Sequence, residues 1–66
     1  MQITINGEKR ELSENLTISE MLENLELPAE RIAVELNREV VRKKDWERIE
    51  LNDADKIEII HFVGGG

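Results

Sequence analysis

The chemistry this chain can offer is concentrated in Ile60-His61-Phe62-Val63-Gly64-Gly65-Gly66. An apolar run beginning at Ile57 passes into three glycines. Glycines bury no side chain and lose the most backbone entropy on ordering, so residues 64–66 are expected to form a mobile tail in the free protein. Having no Cβ, they can thread a channel too narrow for any other residue. They also leave the α-carboxylate of Gly66 unhindered. Such a carboxyl group ordinarily titrates at about pH 3.5 and is ionised at neutral pH. A carboxylate on a bare, extended arm is suited to attack the α-phosphate of ATP and become an acyl-adenylate. Extended, three glycines reach roughly 10 Å, at about 3.3–3.6 Å each. A frayed end or a cloning scar carries the same letters, so the rest of the chain has to decide between them.

No other stretch competes for a chemical role. There is no cysteine, no glycine-rich phosphate loop followed by Lys-Ser/Thr and no His-Glu-x-x-His. His61 is the only histidine and has no Ser, Cys or carboxylate constellation around it. It reads as a structural or surface residue. Asp53 and Asp55 fall well short of a calcium loop and read as part of a turn. The acidic residues are spread along solvent faces. Met21 sits at helical spacing in a core stripe, and Trp46, the only tryptophan, reads as packing. No catalytic set, no metal site and no bound cofactor is expected.

At 66 residues the chain is one domain, and a domain of this size buries only about 60% of its unfolded surface. That leaves little room for an enclosed substrate pocket. The formal net charge of −6 argues against nucleic acid and anionic membranes and favours a partner with a basic docking surface. No apolar run is long enough to span a bilayer, and the start does not resemble a signal peptide. A cytoplasmic protein, monomeric when free, is the expectation.

The elements that must position the tail are legible in order. Met1 to Asn6 alternates apolar and polar residues as a half-buried strand. Asn6-Gly7 is a strong hairpin signal, and Glu8 to Leu12 returns as a charged edge strand. Thr17 to Leu25 is a helix: Thr17 and Glu20 fit a capping box, Leu16 and Met21 fit a hydrophobic staple, and Ile18, Met21, Leu22 and Leu25 form one apolar stripe. It should end before Pro28. Ile32, Val34 and Leu36 alternate in a third strand. Asn37-Arg38 is a turn into a short fourth strand, Glu39 to Arg42. Arg42-Lys43-Lys44 reads as a solvated loop. Trp46, Ile49 and Leu51 hold a poorly periodic segment to the core. Asn52 to Asp55 is a turn, and Lys56 to Val63 is the last strand. Ile57 and Ile59 should face the helix. Ile60 and Phe62 then lie on the other face, which a single helix cannot also cover, so they are the candidate docking patch beside the tail.

One helix over one mixed sheet gives a two-layer α+β domain. The element order is compatible with a β-grasp in which the first and last strands run parallel in the middle. Here the chain resembles the ThiS family of sulfur carrier proteins of thiamin thiazole biosynthesis. The resemblance rests on Ile5-Asn6-Gly7, Arg31 to Asn37, Val40-Val41, Trp46 and, most specifically, Asp55 to Gly66. It covers essentially the whole chain, as a ubiquitin-like domain over residues 1–63 with a glycine tail over 64–66. Arg38 and Ala54 depart from it, standing where glycine is expected, which leaves the geometry of those two turns open. Arg42 and Lys43 replace a stretch that commonly contains proline.

The resemblance implies a mechanism. A ThiF-type adenylyltransferase, using ATP and magnesium, would join the Gly66 carboxylate to AMP. Sulfur from a cysteine-desulfurase persulfide would displace AMP and leave a thiocarboxylate. A ThiG-type thiazole synthase would take that sulfur, with Gly64 and Gly65 as the thin arm entering both active sites. The chain would be a cosubstrate and not an enzyme. Two alternatives share the tail: a molybdopterin synthase small subunit and a ubiquitin-like protein modifier.

Overall fold

The computed structural model describes residues 1–62. The tail assigned to 64–66, and Val63 at the expected end of the last strand, lie outside the described residues. Five strands and one α-helix follow in the order β1 (Gln2–Ile5), β2 (Glu8–Glu11), α1 (Ile18–Asn24), β3 (Ile32–Leu36), β4 (Glu39–Val41) and β5 (Lys56–His61), with a short 3-10 helix at Lys43–Asp45 between β4 and β5. That turn corrects the expectation of a plain solvated loop at Arg42-Lys43-Lys44. Asp45 and Trp46 N–H groups close back on the Arg42 and Lys43 carbonyls and bring Trp46 down onto the core.

The sheet runs β2-β1-β5-β3-β4. β1 and β5 are parallel, pairing Thr4 with Lys56 and Ile5 with Ile57. The β1–β2 and β3–β4 pairs are antiparallel hairpins, and β3 lies antiparallel to β5. This is the β-grasp arrangement. Every residue of β2, Glu-Lys-Arg-Glu, is exposed, as a charged edge strand should be.

One face of the sheet packs on α1. Ile3 and Ile5 of β1, Ile32 and Val34 of β3, and Ile57 and Ile59 of β5 are buried with Ile18, Met21 and Leu22 of the helix, closed by Trp46 and Leu51. The helix begins where the sequence places it. Thr17 Oγ1 accepts from the Glu20 N–H at 3.2 Å, and Glu20 Oε1 accepts from the Thr17 N–H at 2.9 Å. The Ile18 and Ser19 N–H groups donate to the Ile49 and Trp46 carbonyls. The segment after β4 therefore satisfies helix donors that would otherwise be orphaned. At the other end Glu26 N–H reaches the Glu23 carbonyl and Leu27 N–H the Leu22 carbonyl, with Glu26 at φ 56°. This is a Schellman stop made with Glu in the left-handed position that glycine usually takes.

The hairpin turns carry the same signature. Asn6 and Gly7 sit at φ 50° and 85°, and Asn37 and Arg38 at 51° and 73°. Two successive left-handed residues make the turn whose twist suits a hairpin. The turns at Arg38 and Ala54, which the sequence leaves open, are not reshaped: both residues adopt φ 73° and keep a glycine-type conformation despite a Cβ. Flanking bonds enforce this at Ala54, whose N–H donates to the Gln2 carbonyl at 2.7 Å. Arg38→Gly is accordingly expected to stabilise the domain by about 0.5–1 kcal/mol, read as a higher urea midpoint; a lower midpoint would mean that the arginine side chain contributes more than its backbone strain costs.

Candidate functional site

The site grows from the C-terminal half of β5. Side chains alternate along a strand, and residues directly opposite each other share a face. Ile57 and Ile59 are buried against the helix, so Lys56, Glu58, Ile60 and Phe62 project from the open face. Register carries that face across the sheet. Ile60 lies opposite Ala33, Glu58 opposite Glu35, and Glu35 opposite Val40. The Phe62 N–H donates to the Arg31 carbonyl at 2.8 Å and keeps this residue in register beyond the last strand position.

Three large apolar side chains are exposed among the described residues, and all three lie on this face: Val40 at 70%, Ile60 at 47% and Phe62 at 56%. Ile60 and Phe62 are the two that the alternation along the last strand singles out. Val40 escapes that pattern, because Val40-Val41 reads as one apolar pair. The register separates them: Val41 faces Val34 and the core, while Val40 faces Glu35. Between the apolar side chains Glu35 and Glu58 stand opposite each other, and neither forms an ion pair among the described residues. Like charges in direct opposition weaken a sheet unless something cationic covers them.

The position of β5 is itself over-determined. Asn37 Oδ1 accepts from the Lys56 N–H at 2.9 Å, and its Nδ2 donates to Asp55 Oδ1 at 3.0 Å. Asp55 Oδ2 accepts from the Asn52 N–H at 2.7 Å. Asp55 is buried, at 9% exposure, which corrects the reading that the acidic residues all lie on solvent faces. Two hydrogen bonds replace the water its carboxylate loses, and its role is to tie the 52–55 turn to the β3–β4 hairpin. Asp53 stays exposed and accepts from the Gln2 N–H at 2.7 Å. The two aspartates thus hold backbone. No group of His, Asp or Glu side chains suited to a metal is found among the described residues.

His61 is exposed and lies at the rim of a cavity of about 220 Å³ with Asn6, Glu8, Arg10 and Leu27. It makes no side-chain hydrogen bond or ion pair among the described residues. A larger hollow of about 420 Å³ lies between α1 and Trp46, rimmed by Glu20, Glu23 and Glu47. Neither brings a nucleophile and a base together. Gly64, Gly65 and Gly66 lie outside the described residues. No helix among those described is long and apolar enough to cross a membrane.

Comparison with known proteins gives this geometry a context. The ThiS family model matches residues 3–66. The crystal structure of a thiamine biosynthesis protein, ThiS, from Geobacter metallireducens superposes with a TM-score of 0.89 at 35% identity, covering 100% of both chains. The sulfur carrier protein ThiS of Bacillus subtilis is 44% identical over 50 residues, 76% of each chain. A thiazole synthase of Paramagnetospirillum magneticum is 41% identical over all 66 residues, but the chain spans only 20% of that protein's length. With a family match from residue 3 to residue 66 and the same fold as the Geobacter protein, this chain belongs to the ThiS family.

Proposed function

We propose that this chain carries sulfur for thiamine biosynthesis as a thiocarboxylate on Gly66. The family and the relatives support sulfur carriage; the individual steps extend that reading. A ThiF-type enzyme with ATP and magnesium binds the open face through Val40, Ile60 and Phe62. An oxygen of the Gly66 carboxylate attacks the α-phosphorus of ATP, pyrophosphate leaves, and an acyl-adenylate forms. A persulfide sulfur supplied by a cysteine desulfurase attacks the acyl carbon and AMP leaves. Cleavage of the S–S bond by a thiol then leaves the thiocarboxylate. A thiazole synthase takes that sulfur. The carrier contributes the acyl group and the docking face, and its partners contribute catalysis.

The observation that carries this reading is the coincidence on β5 of an exposed apolar face with a direct run into Gly64, Gly65 and Gly66. Glu35 and Glu58 within that face suit a basic docking surface. The thiazole synthase whose sequence includes a stretch like this chain favours a thiazole-forming client over a molybdopterin synthase.

Intact-protein mass spectrometry of the chain from its own cells, with the last peptide sequenced, tests it. The expected product replaces one oxygen of Gly66 by sulfur. A Gly66 still unmodified after incubation with ATP, the adenylyltransferase and a sulfur donor would sink the carrier reading. Isopeptide conjugates to lysines in cell extract would move it to the protein modifier.

A further inference from the structure

We infer that Asn6 is a positioning residue for the arm, its side-chain amide standing in for a residue that β1 lacks; the inference rests on the carrier function proposed above. The backbone of β5 alternates in direction. The Phe62 N–H and the Lys56 carbonyl point toward β3, bonding Arg31 and Asn37. Ile57 and Ile59 present their backbone groups to the β1 side. The Asn6 N–H reaches the Ile57 carbonyl at 2.9 Å, but there β1 ends and the chain turns back through Asn6-Gly7. No further main-chain residue of β1 is available to Ile59.

The Asn6 side chain supplies the missing pair. Its Oδ1 accepts from the Ile59 N–H at 2.7 Å and its Nδ2 donates to the Ile59 carbonyl at 3.3 Å. Both polar backbone groups of Ile59 are thus held from the β1 side by one planar amide. Without it β5 from Ile59 onward would be held by β3 alone. The next residues are Ile60 and Phe62 of the docking face, then the tail. Reacting atoms must approach to about 3–3.5 Å, and a misplacement of about 1 Å can lower a rate a hundredfold. A carrier that docks by one face and reacts at the end of a thin arm therefore needs a fixed point between them. Ile59 lies immediately before both.

A built-in control exists at the other end of the strand. Asn37 occupies the equivalent left-handed turn position, away from the tail; its Oδ1 accepts from the Lys56 N–H, while its Nδ2 donates to Asp55 Oδ1. Glycine accepts φ near 50° without strain, so Asn6→Gly and Asn37→Gly each remove the amide and leave the turn intact. Each variant is assayed as full-length protein with the ThiF-type adenylyltransferase, ATP and magnesium, by pyrophosphate exchange, beside hydrogen exchange and thermal melting. Asn6→Gly is expected to lower kcat for adenylation by about tenfold with KM little changed, and to speed exchange of the Ile59 amide. Asn37→Gly is expected to lower Tm with kcat unchanged. Asn6→Asp keeps the acceptor and loses the donor, so an intermediate kcat is expected; it also serves if Asn6→Gly does not fold. A wild-type kcat in both Asn6 variants would overturn the inference, as would an equal kcat loss in Asn37→Gly. Failure of the wild-type chain itself to be adenylated would instead remove the carrier function, and this inference with it.

Discussion

Removing Gly66 is expected to abolish adenylation and thiocarboxylate formation while leaving the melting temperature unchanged. The carboxylate would move to Gly65 and fall short by about 3.3–3.6 Å, one residue of extended chain. A shortfall several times the tolerance of a near-attack geometry costs far more than a hundredfold. Gly65→Val tests a different cause. It keeps the length and adds a β-branched side chain at the neck of the arm. Adenylation should fall by at least about a hundredfold through steric exclusion. The core is built between Ile3 and Ile59, so neither change touches it. Pyrophosphate exchange measures the first quantity and circular dichroism the second. Normal adenylation of a folded Gly65→Val protein would refute the narrow-channel argument, whereas normal adenylation without Gly66 would refute Gly66 as the acceptor.

The largest loss of stability is expected at Trp46. It is 3% exposed, its Nε1 donates to the Val41 carbonyl at 3.0 Å, and its own carbonyl accepts from the Ser19 N–H. The side chain thus joins the core to the end of β4, and the backbone of the same residue holds the start of the helix. Trp46→Ala should cost about 3–5 kcal/mol, which for a small domain is a large part of the whole. Trp46→Phe keeps most of the apolar area but leaves the Val41 carbonyl without its donor, and should cost about 1–3 kcal/mol. Urea unfolding followed by circular dichroism is the measurement, because the variants lose the only tryptophan fluorophore. A Trp46→Ala midpoint equal to that of the wild type would show that the segment after β4 is held by its backbone bonds alone.

Local signals carried most of the fold. Asn6-Gly7 and Thr17/Glu20 are short-range devices whose hydrogen bonds or dihedrals lie within a few residues, so their letters suffice. The apolar alternation on β1, β3 and β5 likewise placed the core and left Ile60 and Phe62 outside it. What escaped depends on register between distant strands. Val40 and Val41 differ only in what lies opposite them. Asp55 is buried because Asn37, 18 residues earlier, brings it a donor. Asn6 bonds to Ile59 across 53 residues, and nothing in Asn6-Gly7 beyond a turn announces it. Even the two glycine-expected sites followed the same rule: Arg38 and Ala54 lack the usual residue, yet the surrounding pairing holds them in its conformation.

The strand order has a consequence for how the molecule comes into being. β5 is translated after every other described element, yet it is the middle strand. A nascent chain without it consists of two hairpins and a helix with no strand to join them, and isolated hairpins are marginal in water. The core therefore closes in one late step that couples the beginning of the sequence to its far end. Such closure is slow relative to local folding, because chain entropy is lost before distant contacts form. It also links completion to competence. The open face that carries Val40, Ile60 and Phe62 is assembled on β3, β4 and β5, so a chain released before β5 is made lacks the surface proposed above for docking.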